Sequence, residues 1–458
     1  MEKGPERLPV IAILDIGKTN KKLFLIDEHY RIIWGNNCRF PEITDEDGDA
    51  CEDVQALTQW VHSSLQEMLA MPQYRVKAIN FSTYGASFVL INEQGKVIAP
   101  LYSYLKPFPD DLQSKFFAQY NQQQELPGIT ASPILGSLNS GLQLYRLKYK
   151  QLELFKNIRY ALHLPQYVSF LVTGHACTDI TSIGCHTMLW NFREQQYHQW
   201  VQQEGIADKL PPLCPSDEVM PVKLHGGAYQ VGAGLHDSSA ALIPYLASFT
   251  EPFALISTGT WCITLNPFND SPLTAEELQQ DCLCYLAYQG APVKASRLFA
   301  GNEHELQTQR LATHFQVAAD YYRQVEFDPL IIRRLQAPEA PVLIAFAGRS
   351  LAAFPDYETA YHQLMLDLVA AQQQSTQLVI DNTAVKRIFV DGGFSKNPLY
   401  MHLLAAAFPD LEVYAASVAQ ATAVGAALAI HRHWNTRNLP GDLVELKYFK
   451  AESPKQKA

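Results

Sequence analysis

Apolar residues fall along this chain in short, dense runs, separated by polar turns rich in Gly, Thr and Asn. Residues 11–14 and 23–26 are two such runs, and each predicts a buried strand. Between them lies a polar turn, Gly17-Lys18-Thr19-Asn20, so the opening segment predicts a hairpin. Leu57, Trp60, Val61, Leu65, Met68 and Leu69 recur at helical spacing and predict an amphipathic helix over 54–71. Strands over 76–82 and 88–91 follow, joined by the turn Thr83-Tyr84-Gly85. Residues 141–174 read as helical, ending at Gly174. A Gly-rich passage spans 226–245, and its second part reads as a loop entering a helix.

The pattern then restarts. A strand over 253–257, the turn Thr258-Gly259-Thr260 and a strand over 261–265 repeat the opening hairpin in kind. Further on, the runs predict a strand over 342–347, a helix across 361–371 and a strand over 387–390. After the turn Asp391-Gly392-Gly393 come a helix over 398–407, a strand over 411–415 and a helix over 419–431. In that last helix Ala419, Ala423, Ala426, Ala427 and Ile430 share one face, and such small residues permit close packing. Alternating strands and helices make the class α/β, and two halves opening on similar hairpins point to a duplicated fold with a cleft between.

Several tempting chemistries fail on spacing. Gly17-Lys18-Thr19 resembles the end of a P-loop, but Ala12 stands where that motif needs Gly, and a strand follows instead of a helix. The acidic run over 44–53 lacks the Gly of a calcium-binding loop, because Ala50 follows Asp49, so it is expected to be a solvated loop capping the next helix. His304-Glu305 has Thr308 where a zinc-protease helix places its second His. His431 and His433 read as favourable charges at a helix C-terminus.

A chain of 458 residues exceeds one core, so at least two domains are expected. A hydrophobic fraction of 47% and a charged fraction of 18% are those of a soluble globular protein. The net charge of −10 and the lack of any basic run count against a nucleic-acid or anionic-membrane partner. Residues 1–10 carry no apolar signal core and no run approaches a membrane span, so a cytoplasmic location is expected. Eight scattered cysteines without a CxxC read as reduced thiols.

Three polar turns and one carboxylate remain to be explained together. Residues 15–22, the segment STGTW, the segment DGGFSKN and the segment GLHDSSAAL, in that order, resemble the FGGY carbohydrate kinases, relatives of hexokinase, actin and the heat-shock ATPases. The resemblance covers residues 9–435 and implies two ribonuclease-H-like domains, 8–244 and 245–450, with an interdomain cleft. It further implies ATP-dependent phosphorylation of a sugar hydroxyl. Asp237 would be the general base, and Asp15 would hold Mg²⁺ through water. Lys18, Thr19, Asn20, Lys22 and Thr260 would contact phosphates, and Gly392, Gly393 and Asn397 would lie against the adenosine.

Read as residues alone, Asp237 also fits a helix cap, Asp15 a partner of Lys18 or Lys22, and Asn397 a cap before Pro398. Lys18 replaces the family's usual small residue and is expected to swing toward the γ-phosphoryl. The segment around Gly85, Trp261 after the second turn, and His236 before Asp237 resemble rhamnulose and fuculose kinases, although Ser87 stands where those have Asp. That points to a deoxy-ketose substrate, with Gly85 and His236 lining its site and a pentulose or polyol as the alternative. The partners expected are a small-molecule sugar and ATP, with a homodimer as the assembly. A catalytically silent sugar- or nucleotide-binding regulator on the same fold is the competing class; intact Asp15, Asp237 and Thr260 disfavour it.

Overall fold

The hairpin periodicity of each half becomes one edge-to-edge sheet. The computed structural model describes residues 7–121, 125–336 and 345–450. In the first half, β1 (Leu8–Ile16), β2 (Lys21–Asp27) and β3 (Ile32–Cys38) form an antiparallel meander. β4 (Tyr74–Thr83) then returns parallel to β1 after the helix α1 (Val54–Leu69). β5 (Val219–Leu224), β6 (Gly227–Gly232) and β7 (Leu235–His236) complete seven strands in the order β5-β6-β4-β1-β2-β3, with β7 also beside β4. The connecting helix α2 (Leu164–Thr173) packs on this sheet and ends at Gly174, whose φ of +67° gives the left-handed cap that only Gly adopts without cost.

The second half repeats the plan. β8 (Phe253–Thr258) and β9 (Cys262–Asn266) are an antiparallel hairpin, extended by β10 (Cys282–Leu286) and β11 (Pro292–Leu298). β12 (Arg387–Gly392) runs parallel to β8, β13 (Glu412–Ser417) parallel to β12, and β14 (Glu445–Phe449) closes the edge. The order is β10-β11-β9-β8-β12-β13-β14. Helices α4 (Ala300–Phe315), α5 (Tyr357–Ile380) and α6 (Pro398–Ala407) cover it. Meander first, then parallel strands beside its first strand, is the same order of events in both sheets.

Two helices tie the halves together. α3 (Asp237–Ser248) leaves the first sheet, and α7 (Ala421–Ala429) comes from the end of the second half. They cross at backbone contact: a Cβ on Gly425 would lie 1.8 Å from the Ala240 carbonyl oxygen. Ala423, Ala426 and Ala427 are fully buried there, as the small-residue face predicts. Asn80 on β4 donates to the Ala426 carbonyl at 2.8 Å, so α7 is also pinned to the first sheet. A single apolar cluster runs from Ile11 and Ile13 through Ala240 and Tyr245 to Phe253 and Phe389. The expected boundary between 244 and 245 falls inside α3.

Several local expectations are corrected. The stretch 141–174 is not one helix: Tyr160–His163 is a strand paired with Phe88–Ile91, a long-range pairing that overrides local helix preference. The first part of the Gly-rich passage is the β5–β6 hairpin. The last helix breaks at Ile430, and His431 accepts or donates a 2.5 Å hydrogen bond with the Tyr30 hydroxyl. Burial lowers its pKa, so it serves as a hydrogen-bond partner instead of a helix-end charge. The acidic loop is not merely solvated. Asp53 caps α1 as expected, but Asp45, Asp47 and Asp49 surround the buried Lys106 ammonium at 2.6, 2.9 and 2.6 Å. Most of the strand expected over 342–347 lies outside the described residues, and Phe346–Gly348 forms a 3-10 turn. All eight cysteines are free.

Candidate active site

Strand register places the first carboxylates. Asp15 sits opposite Ser82 on β4, and Ser82 sits opposite Leu235 on β7, so Asp15 lies about two strand spacings, ~10 Å, from the start of α3. Asp237 is the first residue of α3, one position inside the cap site that His236 occupies, so it is not the helix cap. Its Oδ1 accepts from the Ser238 amide at 2.6 Å and lies 3.2 Å from His236 Nε2. Removal from water raises its carboxyl pKa to about 6. Burial likewise raises Asp15 to about 6; Lys22 and a hydrogen bond from Thr422 oppose the shift, and the nearby Asp237 charge adds to it. Lys22 Nζ, 4.0 Å from Asp15, also donates to Gln420 at 2.9 Å. The start of α7 thus meets the tip of the first hairpin.

His236 is held from three sides. Its ring stacks on Tyr285 of the second half, with centroids 5.7 Å apart, and Nε2 lies 3.2 Å from Cys185 Sγ. A Cβ on Gly85 would come within 2.7 Å of the ring, so the absence of a side chain there is a steric requirement. Burial lowers the His236 pKa to about 4, which leaves the imidazole neutral at pH 7. Its 3.2 Å approach to Asp237 is therefore not an ion pair.

The rest of the first hairpin tip is largely engaged. Lys18 Nζ lies 3.0 Å from Glu42 and 3.4 Å from Glu52, with the Tyr84 and Tyr104 rings about 6 Å away. Two carboxylates thus hold the lysine that sequence reasoning turned toward a phosphate. The buried Lys21 straps the turn from beneath through the carbonyls of Gly17 and Lys18 and through Glu52 at 2.9 Å. Asn20 accepts from Arg39 at 2.7 Å, and Thr19 is exposed at the tip.

In the second half, Thr258, Gly259 and Thr260 line a cavity of about 830 Å³ with Gly301, His304, Gly393 and Asn397. The Thr258 hydroxyl donates to the Asp391 carbonyl at 2.6 Å and accepts from the Phe394 amide at 3.0 Å, fixing one turn against the other. Gly392 is forced by geometry: its φ is +94°, and a Cβ would meet the Thr258 carbonyl at 2.0 Å. At Gly393 a Cβ would meet nothing within 4 Å. The Asn397 side chain caps α6 by accepting from the Tyr400 amide and donates to the Tyr361 hydroxyl at 2.8 Å. It borders the cavity with its polar atoms already spoken for.

Sequence reasoning missed the link between the halves at this site. Tyr245, two turns along α3 from Asp237, donates to Asp391 Oδ2 at 2.8 Å, and burial raises the Asp391 pKa. It also missed Glu52, Cys185 and Tyr285. No local pattern marks them, because each acts through a partner far away in sequence.

Comparison with known proteins bears on the family and the fold. Residues 10–243 match the family model described as the FGGY family of carbohydrate kinases, N-terminal domain, and residues 250–438 match carbohydrate kinase FGGY, C-terminal domain. An L-fuculokinase from Salmonella typhi is 24% identical over 277 residues, 56% of each chain. A rhamnulokinase from Halalkalibacterium halodurans is 26% identical over 262 residues, 55% of this chain and 52% of the relative. The match thus spans about half the length of these curated relatives. A crystal structure of a carbohydrate kinase from Novosphingobium aromaticivorans superposes with a TM-score of 0.79 at 22% identity, covering 97% of this chain and 95% of that one. A ligand-bound xylulose kinase from Lactobacillus acidophilus gives 0.80 at 17% identity, covering 97% and 94%. At those identities the likeness is one of fold, that of the two-domain carbohydrate kinases. With family models matching on both sides of α3, the chain belongs to the FGGY family of carbohydrate kinases.

Proposed function

We propose that this chain is an ATP-dependent sugar kinase that moves the γ-phosphoryl of ATP to a hydroxyl of a 6-deoxy-ketohexose such as L-fuculose or L-rhamnulose. One observation carries the reading: a carboxylate with a raised pKa heads the helix that joins the two halves, within electrostatic reach of a second carboxylate, and the second half holds a cavity edged by Gly/Thr turns. Phosphoryl transfer needs a positioned hydroxyl, a proton acceptor and neutralised phosphate charge. Asp237 accepts the sugar hydroxyl proton on its free oxygen, while the Ser238 amide holds the other. A carboxyl with a pKa about 6 is still ionised at pH 7, and is more basic than an ordinary one.

Asp15 is the carboxylate that suits a divalent cation: it is a buried acceptor at the hairpin, and Lys22 at 4.0 Å is the one cation paired with it among the described residues. Mg²⁺ held by Asp15 would supply charge neutralisation for the phosphates. Backbone amides of the Gly17–Asn20 and Gly259–Thr260 turns, with Thr19, Thr260 and Lys22, bind the phosphates, and the cavity beside Gly393 takes the adenosine. The names of the fuculose and rhamnulose kinases among the relatives support the deoxy-ketose, as does the neutral His236 against Gly85.

The test is a coupled ADP-release screen across pentuloses, 6-deoxyhexuloses and polyols. A 6-deoxy-ketohexose should give the highest kcat/KM. Release that no sugar accelerates would refute the kinase reading, and a preference for xylulose or glycerol would refute the substrate class.

A further inference from the structure

We infer that Asp179 is a positioning residue for Asp237, acting through Thr181 and the backbone of His236. The inference rests on Asp237 being the base. Asp179 is fully buried, and no Lys or Arg pairs with it among the described residues. Its Oδ1 takes the Thr181 amide at 2.9 Å and, in a short contact, the Thr181 hydroxyl; its Oδ2 takes the Ser216 hydroxyl in another. The Thr181 hydroxyl oxygen in turn accepts from the His236 amide at 2.9 Å. Two bonds therefore run from the buried carboxylate through the Thr181 hydroxyl to the residue before Asp237, and two more hold the carboxylate in place.

The chemistry explains why the residue is a carboxylate. Capping the short helix Ile180–Ile183 needs only an acceptor, and Ser or Asn would serve without an unpaired buried charge. An ionised Asp is acceptor-only, so both hydroxyls that touch it must donate. The Thr181 proton is committed to Asp179, and its lone pair is left to face the His236 N–H. Neither Ser nor Asn at 179 imposes that direction. The same segment meets His236 a second time, since Cys185 Sγ lies 3.2 Å from Nε2. Residues 179–185 thus hold His236 at its backbone and its ring, and His236 Nε2 touches Asp237.

Three variants test this: Thr181→Val, which keeps shape and removes the hydroxyl, Thr181→Ser, which restores it, and Asp179→Asn. Small displacements of a base are costly, so Thr181→Val should lower kcat about tenfold or more, with KM for ATP nearly unchanged. The acid limb of its pH–rate profile should move, because the imidazole that lies 3.2 Å from the Asp237 carboxylate is displaced. Thr181→Ser should recover most of kcat. Asp179→Asn should follow Thr181→Val; if it does not fold, the two Thr181 variants carry the test. Unchanged kcat in Thr181→Val, or equal impairment of the Ser and Val variants, overturns the inference. A kcat loss matched by loss of folded protein, with an unmoved acid limb, overturns it too. If the wild-type chain turns over no sugar, the kinase reading has failed separately. Carboxyl ¹³C NMR titration then decides, and an Asp237 midpoint identical in wild type and Thr181→Val overturns the inference.

Discussion

Replacing Asp237 by Asn should abolish most turnover and at the same time make the protein more stable. The carboxyl is raised from 3.8 to about 6, so ionising it costs the native state free energy that the unfolded chain does not incur. At about 1.4 kcal/mol per unit, the shift sets an upper limit of about 3 kcal/mol. The side chain keeps 32% exposure, so solvent reduces this, and a gain of about 1–2 kcal/mol is the reasonable expectation. The sign follows from proton binding. Between pH 3.8 and about 6 the native state holds the proton more tightly than the unfolded state, so this group's contribution falls as pH rises through that window. Asn is neutral throughout and still accepts from the Ser238 amide.

Denaturant unfolding of wild type and variant at pH 5 and pH 7.5 reads the effect. The stability advantage of Asp237→Asn should be about half developed at pH 5 and fully developed at pH 7.5. In the coupled assay kcat should fall by roughly 10²–10⁴-fold, the worth of a positioned general base, with sugar binding retained. Wild-type kcat should itself decline as pH drops through about 6. A variant that is less stable at pH 7.5, or that turns over at near-normal rate, would show that the carboxylate is a structural element of the helix start.

Lys18→Ala should change kcat less than about threefold, because its ammonium is held by the half-exposed Glu42 and the buried Glu52; a tenfold or larger loss of kcat would mean the lysine leaves them for the phosphate. Gly393→Ala should fold normally and raise the KM for ATP, since its Cβ points into open space at the cavity, whereas Gly392→Ala should lower the melting temperature; equal effects at both positions would contradict the geometry. With both ligands bound the halves should close and the radius of gyration shrink, because water must be kept from the γ-phosphoryl; an unchanged small-angle scattering curve at saturation would count against a clamp.

The elements most readable in the sequence were those whose instructions are local. The hairpin 11–26, α6 starting at Pro398 behind its Asn397 cap, and Asp53 at the head of α1 need only periodicity and capping, and the structure keeps all three. Asp237 was legible through a motif and its order among others, not through its own surroundings. The strand Tyr160–His163 was hidden because its partner lies about seventy residues earlier, at Phe88–Ile91. Lys18 was misdirected for a similar reason. Glu42 and Glu52 reach it only after the chain has looped back, and nothing near Gly17 announces them. The Asp45, Asp47 and Asp49 loop likewise looked solvated until Lys106 arrived from a distant turn.

The crossing of α3 and α7 has a bearing on modularity. By sequence α7 belongs to the second half, yet it is pinned to the first sheet through Asn80, and its Gly425 has no room beside Ala240. The two duplicated halves are therefore not interchangeable parts. A chimaera that joined this first half to the second half of a distant family member would import a foreign α7 against a native α3, where a single added methyl group has no space to occupy. Recombination between such genes should succeed only when both helices travel together, so the pair forms one inherited unit although some 180 residues separate its members in the chain.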